Sequence, residues 1–212
     1  MGVTLLTQFA QNVRTDLKDL DPTSQLWSDA ELVRHIQHAL DDYQAILPLS
    51  AAVTLTAAAA PDGSTRRQVL NPRPDGYLWT EHVELAAPDG TPREPRRPIP
   101  FREEPAGQGV LYLGGDARPA AGDLLLVWYA KAHTLDTSVS TVPTEHEEII
   151  ALGAVAYAAR AAARYAAGRL NVSAWTPRGL ADFARERMAA YLAALAALRA
   201  AYGSAGPPGP RW

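Results

Sequence analysis

His35 and His38 stand three residues apart in a stretch with helical spacing, so both imidazoles could reach one metal ion. A third ligand would have to come from Asp41, Asp42 or elsewhere. Ile36, Leu40 and Tyr43 set the apolar phase, which puts His35 at the border of the core and His38 on the flank. Solvated or interface histidines are the plainer reading. Glu145, His146, Glu147 and Glu148 lack the second histidine of a zinc-protease HExxH pattern. As acidic residues opening a helix they complement its dipole, which accounts for them.

Glu103 and Glu104 are adjacent in a proline-rich loop. A glycosidase needs two carboxylates facing each other across a substrate, and adjacency does not supply that. His133, Ser138 and Ser140 hold the residue types of a triad, yet no GxSxG elbow is present. Gly107, Gly109, Gly114 and Gly115 lack a following GK[ST], so they form no phosphate loop. The expectation is no catalytic residue, no cofactor, no metal and no enzyme. Arg93, Arg96, Arg97 and Arg102 make the most basic stretch. It reads first as a solvated loop, and second as a contact with an acidic partner or nucleic acid.

Composition points the same way. The chain has 212 residues, 47% of them hydrophobic, enough for one or two domains with a real core. A net charge of −3 argues mildly against a large phosphate grip on nucleic acid. With no cysteine, disulfides, thiolate metal sites and cysteine nucleophiles are excluded. Neither a signal peptide nor a membrane-spanning run is expected.

Three segments position these residues. Residues 3–19 read as a helix through Leu6, Phe9, Val13 and Leu17. In LWSDAEL, Ser28 and Glu31 have capping-box spacing, with Trp27 and Leu32 as a hydrophobic staple; this helix ends near Pro48. From about 51 to 133 the texture turns to strands. Pro-Asp-Gly occurs at 61–63, 74–76 and 88–90, and each triplet suits a turn. Strands are predicted at Ala52–Thr56, Arg67–Leu70, Tyr77–Leu85, Gly109–Leu113 and Asp123–His133. Within Tyr77–Leu85, the pairing of Tyr77, Trp79, Val83 and Leu85 on one side predicts one buried face. PREPRRPIP, 92–100, reads as an extended edge or loop.

Thr144 and Glu147 repeat the capping-box spacing, and an alanine-rich helix is predicted to about Ala167. Thr176-Pro177 restarts a helix. Ala184, Met188, Tyr191, Leu195, Leu198 and Tyr202 give it a heptad-like seam, and Gly203 stops it. The predicted fold class is α+β and mainly α: a four-helix bundle with a small antiparallel β insertion between helices two and three. The expected segments are 1–50, first helical pair; 51–133, β insertion; 134–203, second helical pair; and 204–212, an extended tail. Trp212 beside Arg211 has the composition of an interface anchor.

The stretch VRTDLKDL…LWSDAELVRHIQHALDDY resembles head–tail adaptor (connector) proteins of tailed bacteriophages, which often begin with a short helix followed by a W-[ST]-D-x-E-L helix start. GDLLLVWYAKAHTLDTSVSTVPTEHEEIIALGAVAYAARAAARY is similar to the same family: a strand, a Thr-Pro-rich loop, then an alanine-rich helix. The resemblance spans most of the chain through short motifs. It implies a homo-oligomeric ring, commonly of twelve copies, between the portal protein and a downstream tail or stopper protein. DNA would pass through the lumen without sequence-specific binding. The protein would be made in the host cytoplasm and reside in the virion neck, with no membrane. The tail, through Pro207, Pro208, Pro210, Arg211 and Trp212, would dock on the portal; the four arginines would meet the tail or a neighbouring subunit. The alternative expectation is a non-catalytic binding module. Its β insertion would recognise a peptide or carbohydrate through Tyr77, Trp79 and Tyr112.

Overall fold

The computed structural model describes residues 4–92, 98–115, 119–167 and 177–203. The described residues form two compact units, one within 4–47 and 133–203, the other within 48–132.

The first unit holds α1 (Leu6–Leu17), α2 (Asp29–Gln44), a 3-10 turn (Thr144–His146), α3 (Glu147–Ala167) and α4 (Pro177–Tyr202). Phe9, Val13 and Leu17 bury one face of α1, as their spacing requires. The start of α2 is as predicted: the Ser28 side chain accepts from the Glu31 backbone N–H, and the Glu31 side chain accepts from the Ser28 backbone N–H. Such a cap contributes about 1 kcal/mol. The same spacing fails at Thr144. There the chain enters through the 3-10 turn with Pro143 at the cap position and no side-chain cap bond.

The turn between α1 and α2 is tied by a buried guanidinium. Arg14 Nη1 donates to Asp19 Oδ2 at 2.7 Å; Nη2 reaches Asp29 Oδ1 at 2.7 Å and the Trp27 carbonyl at 2.9 Å. Asp19 in turn accepts from the Leu26 backbone N–H at 2.7 Å. The Trp27 ring is buried with Leu32 in one apolar cluster, and its Nε1 donates to the Ala158 carbonyl on α3.

The second unit holds β1 (Leu49–Thr56), β2 (Arg67–Val69), β3 (Tyr77–Leu85), β4 (Phe101–Glu103), β5 (Val110–Leu113) and β6 (Leu124–Lys131). They form two three-stranded antiparallel sheets, ordered β1-β6-β3 and β2-β5-β4. In the first sheet β6 is central, and its near-continuous apolar run suits a strand buried on both faces. Edge strand β1 alternates half-buried and exposed residues. The predicted Pro-Asp-Gly turns form, with Gly63, Gly76 and Gly90 at φ of +78°, +70° and +81°.

The predicted fold is corrected in both halves. The β portion is no small insertion: two sheets share their own core, which includes Leu70, Tyr77, Val83, Leu111, Leu125 and Val127. Strand β4 lies where the sequence pattern predicts only loop. Nor do the helices make a four-helix bundle, in which each helix buries one stripe. Helix α3 packs against α1, α2 and α4, while α4 packs chiefly on α3. Ala154, Ala156, Ala158, Ala159 and Ala162 of α3 are buried and span an arc of about 200°. Small side chains over so wide an arc let neighbours approach from several directions, so α3 becomes a hub.

The predicted faces of β3 also give way. Register shifts between Tyr77 and Trp79, and between Thr80 and His82, bury Tyr77, Thr80, Val83 and Glu84 together. A bulge adds a residue to one strand, and strict alternation is lost beyond it.

Candidate assembly surface

The residues with catalytic chemistry are dispersed, and several are engaged in structural hydrogen bonds. His35 is buried on α2 and neither ring nitrogen has a hydrogen-bond partner among the described residues. Desolvation, then the nearby Arg34 and His38 charges, holds its pKa below the ordinary value. His38 is exposed and meets His35 and Tyr157 edge-on, with centroids 6.3 Å and 5.6 Å away. Among the described residues no third ligand gathers with the pair.

Glu103 fastens β4 to its surroundings. Its Oε1 accepts from the Tyr77 hydroxyl and the Gly109 N–H, each at 2.7 Å, and its Oε2 from the Thr80 N–H at 2.9 Å. Burial, with the neighbouring carboxylate, pushes the Tyr77 phenol well above its usual range. Glu104 pairs with exposed Arg102 instead of facing Glu103.

His133 shares no hydrogen bond with Ser138 or Ser140. Its Nδ1 lies 3.1 Å from the Thr141 carbonyl and its Nε2 3.0 Å from the Leu47 carbonyl. Ser138 closes a turn on Asp136. The histidine at the acidic start of α3 is likewise structural. His146 is buried, with Nδ1 2.8 Å from the Tyr43 hydroxyl. Gly107 and Gly109 have positive φ, and a Cβ on Gly107 would stand 2.8 Å from the Leu78 carbonyl oxygen. That is a requirement of chain path.

The three proposed platform rings do not converge. Tyr77 is buried against Tyr129, Trp79 is half-buried on the same strand, and Tyr112 is exposed on β5 of the other sheet. Arg93, Arg96, Arg97 and the tail residues Pro207, Pro208, Pro210, Arg211 and Trp212 lie outside the described residues.

Sequence reading missed a groove between α3 and α4, of about 570 Å³, floored by Ala163, Ala184, Met188 and Leu192 and rimmed by Arg160, Arg164 and Arg185. Leu192 is 57% exposed. The seam residues Ala184, Tyr191 and Leu198 are buried as predicted, while Tyr202 is exposed beside His146. Leu192 stands off that seam, and an off-seam leucine among alanines was the available signal.

A partly buried network locks α4 to its neighbours. The Tyr191 hydroxyl lies 3.2 Å from both the Ala39 carbonyl and Asp42 Oδ2, and the Tyr157 hydroxyl donates to the same Asp42 oxygen at 2.6 Å. Desolvation and Asp42 push the Tyr157 phenol up to about 12. These tyrosines therefore stay protonated as donors, and α4 presents its groove from a fixed position. Such an arrangement, apolar, open and basic at the rim, can receive another chain.

No protein-family model and no curated protein sequence matches the chain. Among solved structures it is similar to a chain from the neck of an empty GTA particle, computed with C6 symmetry. That likeness has 16% identity over 88% of this chain and 93% of the other, with a TM-score of 0.30. It is similar also to a chain of the virion of a native gene transfer agent (GTA) particle, at 16% identity over 84% and 87% with a TM-score of 0.31.

Proposed function

We propose that the chain is a structural protein of the neck of a phage-like particle: a head–tail adaptor that forms a ring, of twelve copies, between portal and tail. The carrying observation is the Arg-rimmed apolar groove with Leu192 open to solvent. An open apolar groove with a few charged side chains converging on it is the default candidate for a binding surface. The occupied state of Glu103, His133 and His146 supports a non-enzymatic role, as does the sequence resemblance of the α1–α2 and β6–α3 regions to head–tail adaptors.

In this reading DNA passes through the lumen without sequence-specific binding. A net charge of −3 suits a wall that lets the polymer slide, since many phosphate contacts would hold it. Residues 204–212 dock on the portal, with Trp212 as anchor and Arg211 beside it. Arg93, Arg96, Arg97 and Arg102 face the downstream tail or stopper protein, or a neighbouring subunit.

The test mixes the purified chain with its portal and images the product by electron microscopy. A symmetric ring on the portal is expected. A chain lacking residues 204–212 should fail to dock while keeping its helical circular dichroism. No ring on the portal would end the adaptor reading; normal docking of the truncated chain would end the tail assignment alone.

A further inference from the structure

We propose that the Arg-rimmed groove between α3 and α4 receives the α1–α2 corner of a second copy of this chain, in a head-to-tail contact. The inference rests on the ring reading above and names the two surfaces that would build it.

The corner carries the complement of the groove. Leu20 is 51% exposed and Leu26 42% exposed, and both project from the turn that Arg14 ties. Asp16, Asp21, Asp29 and Glu31 are exposed in the same stretch, Asp29 also pairing with Arg14, and Lys18 is the single exposed cation among residues 16–31. Bonds from Thr23 hold the Asp21 carboxyl below its usual range, and bonds from Ser28 do the same for Glu31. Both are therefore ionised at neutral pH. The groove offers Leu192 and Met188 within a rim of Arg160, Arg164 and Arg185, of which Arg185 also pairs with Asp182 at 2.8 Å. Apolar meets apolar and the rims are opposite in sign, which fixes register and disfavours other pairings. Groove against groove would set arginine against arginine.

The two surfaces also lie on opposite sides of one rigid element. Leu26 shares a cavity with Ala161, Ala162 and Tyr165 of α3, whereas the groove uses Arg160, Ala163 and Arg164 of the same helix. At 3.6 residues per turn these two sets point about 150° apart. A subunit in a ring needs two different, complementary patches facing away from each other. A two-fold dimer needs one patch that fits itself.

The absence of cysteine makes a direct trap possible. The full chain is prepared as Leu26→Cys, as Ala189→Cys on the groove side of α4, and as the double variant; each is then mildly oxidised. The double variant should give a ladder of covalent oligomers, and an equimolar mixture of the single variants should give dimers and nothing larger. Adding Arg160→Glu and Arg164→Glu to the Ala189→Cys chain should cut the mixed-dimer yield by roughly tenfold or more. The proposal is overturned by absence of mixed dimers, by Ala189→Cys chains linking to each other as readily, or by insensitivity to charge reversal. Rings on the portal without a disulfide between positions 26 and 189 of neighbouring copies would refute this contact and leave the adaptor reading intact. A ladder without portal rings would do the reverse.

Discussion

A Cβ on Gly153 would stand 2.6 Å from Cε2 and Cζ of Tyr191 and 2.8 Å from the Cβ of Ala39. The missing side chain is the passage through which Tyr191 of α4 crosses the hub helix to reach the Ala39 carbonyl on α2. The ring is buried and held by its hydroxyl bonds, so it cannot swing aside. Two effects compete in Gly153→Ala. Helix propensity favours alanine by about 1 kcal/mol, while overpacking a tight core costs about 1–3 kcal/mol. Contacts this short put the cost at the upper end of that range and let overpacking win, so the variant should lose up to about 2 kcal/mol in urea denaturation. In a Tyr191→Leu background the same change should cost less. A double-mutant cycle with no coupling would refute the passage.

Arg14 is the second structural commitment. Its guanidinium is 5% exposed and satisfies Asp19, Asp29 and the Trp27 carbonyl. Arg14→Ala would strand the buried Asp19 carboxylate, and removing one partner of a buried pair costs about 3–5 kcal/mol. Lysine should not restore the loss, since a single ammonium cannot reach three acceptors from one plane. Thermal unfolding followed by far-UV circular dichroism measures both; an Arg14→Lys variant as stable as the parent would sink the fork argument.

Glu103 tests latch against catalyst. As a latch, Glu103→Gln places an amide N–H₂ opposite a donor at one of the two carboxylate positions. Hydrogen bonds to charged groups contribute about 1.5–3 kcal/mol each. The β unit should lose about 1–3 kcal/mol, and Glu104→Gln on the exposed neighbour about 0–1 kcal/mol. Near-UV circular dichroism of Tyr77 and Tyr129 would report the loosening. Equal effects of the two substitutions would argue against the latch.

His35 sets a pH dependence. Burial depresses its pKa in the folded state below the ordinary 6.5. The unfolded chain therefore binds the extra proton first as pH falls, and stability drops as pH is lowered through about 6.5 toward the folded pKa. Above that window the imidazole is neutral in both states and contributes no pH dependence. The slope for one group is at most about 1.4 kcal/mol per pH unit. His35→Leu should flatten the change in unfolding free energy as pH is lowered from about 7 to about 5. An unchanged slope would mean that His35 finds a proton acceptor when folded.

Much of the secondary structure was legible because its causes are local. The Ser28–Glu31 box, the three Pro-Asp-Gly turns and the Gly203 stop each depend on residues close together in the chain. Locality also set the limit of that reading. Thr144 and Glu147 repeat the box spacing, yet the chain takes a 3-10 turn there. His146 within that turn is buried and bonded to Tyr43, 103 residues earlier. Likewise β3 alternates in sequence, but the bulges that pair it with β6 turn Thr80 and Glu84 inward.

The kinds of elements and most of their ends follow from the chain's local pattern, because caps, turns and periodicity are short-range physics. That α3 is a hub, that the β region has its own two-sheet core, and that Leu192 and the arginines make an open groove follow from packing alone. Those outcomes rest on which faces meet across long stretches of chain, as Tyr191 meets Ala39 across 152 positions. Periodicity says that a face is apolar; packing alone says what covers it and what is left bare.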